Sequence, residues 1–241
     1  MNSENIIKEA SKILKKNHIC SYSLDAELIL ADIIGVKREN LITNFNLNIS
    51  DKNKKKYNFA IRRRANGEPL AYIIGKKEFW SEDFFVNCST LVPRPETELL
   101  IYKTKNYFKN KSINILDVGT GSGCILLSIL KELPLSRGTG IDILPKAIQT
   151  AKNNSKKLKL FHRSKFKLID IDKYNLGKFD LIVSNPPYVP SGEIKNLSRE
   201  IVEYEPRKAI DGGPDGLDLI KKVIYKSTKL LKRNGLLFIE I

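Results

Sequence analysis

Asp117-Val118-Gly119-Thr120-Gly121-Ser122-Gly123 lies between an apolar run at 113–117 and a second apolar run that begins at Cys124. The first run predicts a buried strand, and the second predicts a helix over 123–132. Glycines at such a junction let the backbone approach a ligand closely, and the helix N-terminus adds oriented N–H donors. The stretch therefore predicts the first strand, the ligand loop and the first helix of an α/β domain.

Strands and helices continue to alternate along the rest of the chain. The apolar patterns predict strands over 113–117, 139–142, 165–169, 179–184 and 236–241, and helices over 123–132, 145–156 and 215–233. Such alternation predicts a Rossmann-like α/β fold, in which a parallel sheet carries helices on both faces.

Residues 1–75, which precede this region, predict a small all-helical domain. Capping residues and apolar spacing predict five helices, which start at Ser3, Ser23, Arg38, Ser50 and Pro69. Two glycines, Gly35 and Gly75, are expected to end the second and the fifth of these helices.

Residues 76–95 predict a linker between the helical domain and the α/β domain, which we expect over 96–241. Glu78-Phe79-Trp80 and Phe84-Phe85-Val86 flank the polar residues Ser81-Glu82-Asp83, and this pattern predicts a β-hairpin. The chain then ends inside an apolar run with no turn after it, which predicts a fragment of a longer protein.

The composition excludes several classes of protein. The 241 residues contain no apolar stretch long enough to span a bilayer and no secretion signal at the N-terminus. Cys20, Cys88 and Cys124 are odd in number and lack Cys-x-x-Cys spacing, which predicts reduced thiols in the cytoplasm and no metal site.

The net charge of +15 fits a lysine-rich composition as well as a polyanionic partner. We therefore do not predict nucleic-acid binding, and we interpret Arg62-Arg63-Arg64 as a solvated helix face.

Acidic residues accompany the glycine loop. The glycine spacing differs from that of a dinucleotide site, and the carboxylate of Asp117 would repel a pyrophosphate but attract an amine-bearing ligand, which favours S-adenosylmethionine. Asp142 ends the second sheet strand, where an acidic residue takes the hydroxyls of a ribose; capping of the next helix is the alternative. Asp170 closes the third strand and is a candidate for the adenine amino group, for which Asp172 competes. The candidate cofactor contacts are Asp117, Gly119, Thr120, Gly121, Gly123, Asp142, Asp170 and Asn185.

Asn185-Pro186-Pro187-Tyr188 follows the fourth predicted strand. Two successive prolines keep the backbone extended and stiff, because each restricts the residue before it. The Asn185 side chain and the Pro186 carbonyl offer two fixed acceptors at the carboxyl end of the sheet, and such a pair suits a planar NH2 group. Tyr188 can lie against the flat face of the group that carries it.

Taken together, these motifs resemble the HemK-type glutamine methyltransferases, whose members modify peptide chain release factors. The resemblance covers most of the chain from the fourth helix onward. Its most specific motif is Leu91-Val92-Pro93-Arg94-Pro95-Glu96-Thr97-Glu98, and it also includes Gly67-Glu68-Pro69-Leu70-Ala71-Tyr72-Ile73 and Gly212-Gly213-Pro214-Asp215-Gly216-Leu217. Asn-Pro-Pro-Tyr alone is shared with adenine-N6 DNA methyltransferases.

The resemblance implies a helical N-terminal domain, a hairpin linker and a seven-stranded S-adenosylmethionine-dependent methyltransferase sheet, of which this chain supplies five strands. We expect the helical domain to be a docking surface for the protein substrate, a release factor. The resemblance also implies that Gly119, Gly121 and Asp142 bind the cofactor and that Asn185 holds a substrate glutamine amide. We expect the Asn185 and Pro186 oxygens to accept the two amide hydrogens, with Pro187 and Tyr188 beside the amide plane. A ribosomal-protein glutamine methyltransferase, an adenine-N6 DNA methyltransferase and a non-catalytic interaction protein are the alternatives.

Overall fold

The computed structural model describes residues 2–44 and 47–241, which form two compact units, Met1–Gly75 and Lys76–Ile241. The first unit is helical, and its core is built from the apolar faces of the helices. Its helices are α1 (Ser3–Lys16), α2 (Tyr22–Ile34), α3 (Arg38–Thr43), α4 (Asp51–Ala65) and α5 (Leu70–Ile74).

The caps of these helices agree only in part with the sequence predictions. Ser50 caps α4 as predicted, because its hydroxyl accepts a hydrogen bond from the Asn53 N–H. The predicted cap Ser3 is wrong: Asn2 caps α1 through its side chain, and Ser3 is a buried residue of the first turn whose N–H donates to the carbonyl of Leu47. The second helix likewise begins at Tyr22, one residue before the predicted cap Ser23.

The arginine run at the end of α4 is not a solvated face along its whole length. Arg64 is buried, and its Nε lies 2.6 Å from Oδ2 of the buried Asp25 on α2. Arg63 pairs with Glu68, and only Arg62 is exposed. This buried pair joins α4 to α2. Removal of either partner would leave an uncompensated charge in the core.

The second unit begins with a hairpin and continues as an alternating α/β domain. The hairpin strands are β1 (Lys76–Phe79) and β2 (Glu82–Phe85). The elements that follow are α6 (Glu98–Tyr107), β3 (Asn114–Val118), α7 (Cys124–Glu132), β4 (Arg137–Asp142), α8 (Pro145–Lys157), β5 (Ser164–Leu168), β6 (Phe179–Ser184), α9 (Arg199–Tyr204), α10 (Asp218–Leu230) and β7 (Leu231–Ile239).

The five later strands form one parallel sheet with the order β5-β4-β3-β6-β7. This confirms the predicted Rossmann-like class. The chain adds β4 and β5 on one side of β3 and then adds β6 and β7 on the other side. The carboxyl ends of β3 and β6 therefore flank the topological switch point, where open α/β sheets bind ligands. The buried Ser184 hydroxyl donates to the Val118 carbonyl at 2.8 Å and holds these two strand ends together.

The hairpin turn lies one to two residues earlier than predicted. Trp80 and Ser81 are its two central residues, and both have positive φ, of 51° and 58°. Side chains outside the hairpin hold the tryptophan in this unfavourable conformation: its N–H donates to Glu98 Oε1 at 2.8 Å and its indole Nε1–H to Glu132 Oε1 at 2.7 Å.

Two further features differ from the predictions or extend them. The helix α9 was not predicted, and the last strand, β7, starts at Leu231, five residues earlier than the apolar run suggested. Among the helices within residues 2–44 and 47–241, none combines the length and the apolar character that a bilayer span requires.

Candidate active site at the carboxyl edge of the sheet

A cavity of about 760 Å³ opens at the carboxyl ends of β3, β4 and β6. This volume lies within the range of small-molecule sites. Seven of the predicted site residues line it: Gly119, Thr120, Gly121, Asp142, Asp170, Asn185 and Pro187. Four others, Asp117, Gly123, Pro186 and Tyr188, are not among the lining residues.

The glycine loop forms one wall of the cavity through its backbone. Gly119 and Gly121 have φ of 73° and 54°, which residues with side chains rarely adopt. The N–H groups of Gly119 and Thr120 both donate to the Ile141 carbonyl at 3.0 Å, so the loop is fastened to the neighbouring strand. A Cβ on Gly119 would meet no protein atom within 4 Å. The loop therefore has a rigid shape and leaves open space above it.

The packing beneath the loop depends on another glycine that the sequence reasoning passed over. A Cβ added to Gly140 on β4 would lie 2.6 Å from the Thr120 hydroxyl oxygen and 2.7 Å from the Phe166 ring. Neither neighbour is the end of a long flexible chain. Gly140 thus allows the loop to sit directly on the central strands.

Asp142 lies at the end of β4 and presents both carboxylate oxygens to backbone donors. Oδ2 accepts from the Gly121 N–H and Oδ1 from the Leu144 N–H, each at 2.9 Å. Burial raises the pKa of this carboxyl, and the same N–H groups lower it. Since a carboxylate has about four lone-pair sites, the two oxygens retain acceptor capacity for a pair of ligand hydroxyls.

Asp117 has a different position from the one expected. It is fully buried at the base of the loop, where Oδ2 accepts from the Thr120 hydroxyl at 2.6 Å and Oδ1 has no partner among the described residues. Burial raises the pKa of Asp117 to about 7, the Thr120 hydroxyl lowers it, and the nearby Asp142 carboxyl raises it. Asp117 therefore supports the loop from beneath.

Asp170 and Asp172, which the sequence could not separate, occupy different surroundings. Asp170 lines the cavity, and its Oδ1 accepts from the Asp172 N–H at 2.9 Å. The carboxylate of Asp172 lies 3.0 Å from the Lys222 ammonium, and Asp172 is not a lining residue. This arrangement favours Asp170 as the contact for a ligand in the cavity.

Asn185 follows β6 and has a defined amide orientation. Its Nδ2 donates to Thr97 Oγ1 at 3.1 Å and to Glu240 Oε1 at 2.8 Å. No described residue forms a hydrogen bond with Asn185 Oδ1, nor does any described N–H donate to the Pro186 carbonyl. The orientation leaves the carbonyl oxygen of Asn185 as a free acceptor in a residue that lines the cavity.

The segment after Asn185 is held by a glycine-rich loop. Pro186 is buried, Pro187 lines the cavity, and Tyr188 is 44% exposed. A Cβ on Gly216 would lie 2.4 Å from the Tyr188 carbonyl oxygen, so only glycine permits this close approach. The motif at 212–217 therefore supports the backbone of the proline segment.

Sequence reasoning missed two residues of this arrangement and one supporting pair. Thr97 and Glu240 converge on Asn185 from positions 88 and 55 residues away. Arg94 donates to Oε1 of the buried Glu205 at 2.7 Å. The motif that contains Arg94 and Thr97 was recognised, but a motif gives no indication of which residues its side chains contact.

The residues of the cavity fit S-adenosylmethionine. Glycine at 119 leaves space that a Cβ would fill, Asp142 can accept from ribose hydroxyls, and Asp170 offers a carboxylate for an amino group. Within the described chain, no cluster of three or more His, Cys, Asp or Glu side chains is arranged to hold a metal ion.

Comparisons with known proteins identify both parts of the chain. The family model for the PrmC N-terminal domain matches residues 5–75, and a methyltransferase domain model matches residues 109–240. A solved structure of an S-adenosylmethionine-dependent methyltransferase from Thiobacillus denitrificans, in complex with S-adenosyl-L-homocysteine, is 18% identical. The match covers 61% of this chain and 48% of that one, with a TM-score of 0.40.

Relatives of known family resemble nearly the whole chain. The release factor glutamine methyltransferase of Buchnera aphidicola subsp. Baizongia pistaciae is 39% identical over 241 residues, which are 100% of this chain and 86% of that protein. The enzyme of the same name from Bradyrhizobium diazoefficiens is 38% identical over 221 residues, or 90% of this chain and 74% of that protein. Identity of this extent shows that the chain belongs to the release factor glutamine methyltransferases and is a methyltransferase enzyme.

Proposed function

We propose that this enzyme methylates N5 of the glutamine in the Gly-Gly-Gln motif of a peptide chain release factor. The observation that carries the proposal is the orientation of the Asn185 amide, which leaves Oδ1 free beside the cavity. The names of the relatives support a release factor as the substrate.

The free acceptors match the substrate group. A primary amide presents two N–H donors in one plane, and Asn185 Oδ1 and the Pro186 carbonyl can accept one each. These two contacts would fix the plane of the glutamine amide and aim its nitrogen into the cavity. Since that nitrogen is a weak nucleophile, its lone pair being delocalised, the main task of the protein is positioning.

We propose that the cofactor binds in the same cavity as the substrate amide. Gly119 and Gly121 would hold the methionine portion by their backbone, Asp142 the ribose hydroxyls and Asp170 the adenine amino group. S-adenosylmethionine supplies a sulfonium methyl group as the electrophile when it is bound. Thr120 and Gly123 shape the loop, and Asp117 keeps it in place from below.

We also propose that residues 1–75 form a domain that docks the substrate, that residues 76–95 form a linker and that residues 96–241 form the catalytic domain. On α4, Phe59 is 64% exposed beside the exposed Lys55 and Lys56. If this face docks the substrate, Lys55→Glu/Lys56→Glu should raise KM for a whole release factor and leave KM for a short glutamine peptide unchanged. An unchanged KM for the whole release factor in this variant would refute docking on this face.

Methyl transfer from labelled S-adenosylmethionine tests the proposed reaction. The acceptors would be a release factor with its Gly-Gly-Gln glutamine, the same factor with that glutamine replaced, ribosomal proteins, and adenine-containing DNA. We expect label on the intact factor alone, and a loss of about 30- to 1000-fold in kcat for Asn185→Ala, as for one preorganised polar contact of about 2–4 kcal/mol. Label on ribosomal protein or on DNA alone would overturn the substrate.

A further inference from the structure

An asparagine amide can occupy its site in two orientations of nearly equal shape, which exchange the oxygen and the nitrogen. In this structure the nitrogen of Asn185 faces Thr97 and Glu240, and the oxygen is left for the cavity. The opposite orientation would present an NH2 group to a substrate NH2 group, and the contact would be lost. Some feature of the protein must therefore select one orientation.

Thr97 cannot make the selection by itself. A threonine hydroxyl both donates and accepts, so its rotation can satisfy either face of the amide. Glu240 differs, because an ionised carboxylate only accepts. With the amide reversed, Asn185 Oδ1 would lie against the Glu240 carboxylate and two acceptors would meet.

The surroundings of Glu240 fix its backbone and bury one oxygen of its carboxylate. The Glu240 N–H donates to the Ser184 carbonyl at 3.1 Å, which fixes its backbone beside the end of β6. Its Oε2 is buried without a partner in the described part of the chain. Burial raises the pKa of Glu240, hydrogen bonds from Thr97 and Asn185 lower it, and the Glu96 carboxylate raises it.

We propose that Glu240 is the positioning residue that keeps the carbonyl oxygen of Asn185 directed at the substrate amide. The proposal rests on the proposed function, in which Asn185 accepts from the substrate glutamine. Glu240 itself lies outside the residues that line the cavity, so it acts through Asn185.

An exchange of donor and acceptor between the two positions tests the proposal. Asn185→Asp places two carboxylates against each other, and we expect kcat to fall by about 100-fold or more. In the double variant Asn185→Asp/Glu240→Gln, the new glutamine NH2 can donate to the new aspartate, which then still offers an oxygen to the substrate. The double variant should therefore recover at least about tenfold in kcat over Asn185→Asp.

A matched control separates this effect from a general loss of charge. Glu203 is an exposed glutamate of α9 that pairs with Arg199. Glu203→Gln should give no recovery when it is combined with Asn185→Asp. Cofactor affinity, measured by calorimetry, should change by less than about twofold in Glu240→Gln, because Asn185 is the one predicted cofactor residue, all of them described, with which Glu240 shares a hydrogen bond.

Thermal unfolding of the wild-type protein and the four variants gives a readout without any substrate. Asn185→Asp should lower Tm, and Glu240→Gln should restore part of that loss. A double variant with no gain in either kcat or Tm over Asn185→Asp would overturn the positioning role. If the wild-type enzyme labels no release factor but the Tm gain is present, the proposed substrate fails while the selection of the amide orientation by Glu240 stands.

Discussion

Replacement of Asp117 by asparagine is expected to stabilise the α/β domain at neutral pH. Burial raises the pKa of this carboxyl from 3.8 to about 7, so the folded protein keeps the proton to a higher pH than the unfolded chain does. Protonated Asp117 costs the folded state nothing below about pH 4, where the unfolded chain is protonated as well. As the pH rises from about 4 to about 7, the unfolded chain ionises first, and the free energy of unfolding falls. Asparagine has a similar shape and carries no charge at any of these pH values.

The expected size of the effect follows from the pKa difference. A shift of about 3 units corresponds to about 4 kcal/mol at 1.36 kcal/mol per unit. The full value applies because Asp117 is wholly buried and its charge is not screened by water. The difference in unfolding free energy between the variant and the wild-type chain should therefore increase by about 4 kcal/mol in favour of the variant as the pH rises from 4 to 7.5.

Urea unfolding at pH 4, 5, 6 and 7.5 would measure this gain. The single tryptophan of the chain, Trp80, belongs to the same compact unit as Asp117, so its fluorescence follows the unfolding of that unit. Comparison with the variant at each pH cancels the titration of other carboxylates. A difference in stability that stays constant across this range would refute the raised pKa and the buried position of Asp117.

Three further changes have definite expected results. Gly140→Ala should lower stability by about 1–3 kcal/mol in urea unfolding and weaken cofactor binding, because the added methyl group collides with the threonine hydroxyl and the phenylalanine ring beneath the loop. Gly192→Ala is its control, since a Cβ there meets no atom within 4 Å; equal losses would contradict the packing argument. Asp142→Ala leaves two backbone N–H groups unpaired and should raise the cofactor Kd by about tenfold or more in calorimetry, and an unchanged Kd would exclude Asp142 from the site. Asp25→Ala should destabilise the helical unit by about 3–5 kcal/mol in thermal unfolding, because Arg64 keeps its buried charge, whereas a loss below 1 kcal/mol would mean that the pair is solvated.

The sequence predicted the presence and type of most elements, because local periodicity encodes them. It failed where a distant residue decides the local structure. Ser3 did not cap α1, since its N–H bonds to Leu47, and the hairpin turn moved because the indole of Trp80 reaches Glu132, 52 residues further along the chain. Propensity alone would not place tryptophan at a positive φ.

The candidate site shows the same division. Its motifs, the glycine loop and Asn185-Pro186-Pro187-Tyr188, stood out because each joins unusual backbone residues to the end of a strand. The carboxylates were harder to assign: Asp117 lies beneath the loop, and only the fold separates Asp170 from Asp172. Glu240 carried no signal in the sequence, since its role depends on the pairing of β6 with β7.

The side chain of Asn154 on α8 has a consequence for the order of folding. Its amide exchanges two hydrogen bonds with the Phe85 backbone, at 2.7 and 3.0 Å, and donates a third to the Ser122 carbonyl at 2.8 Å. It therefore pairs with an edge of the hairpin as a further strand would. This partner lies 69 residues beyond Phe85. At about 5–20 residues per second of synthesis, the hairpin edge stays open for roughly 3–14 s before α8 emerges, and during that time the nascent chain is exposed to wrong strand pairing.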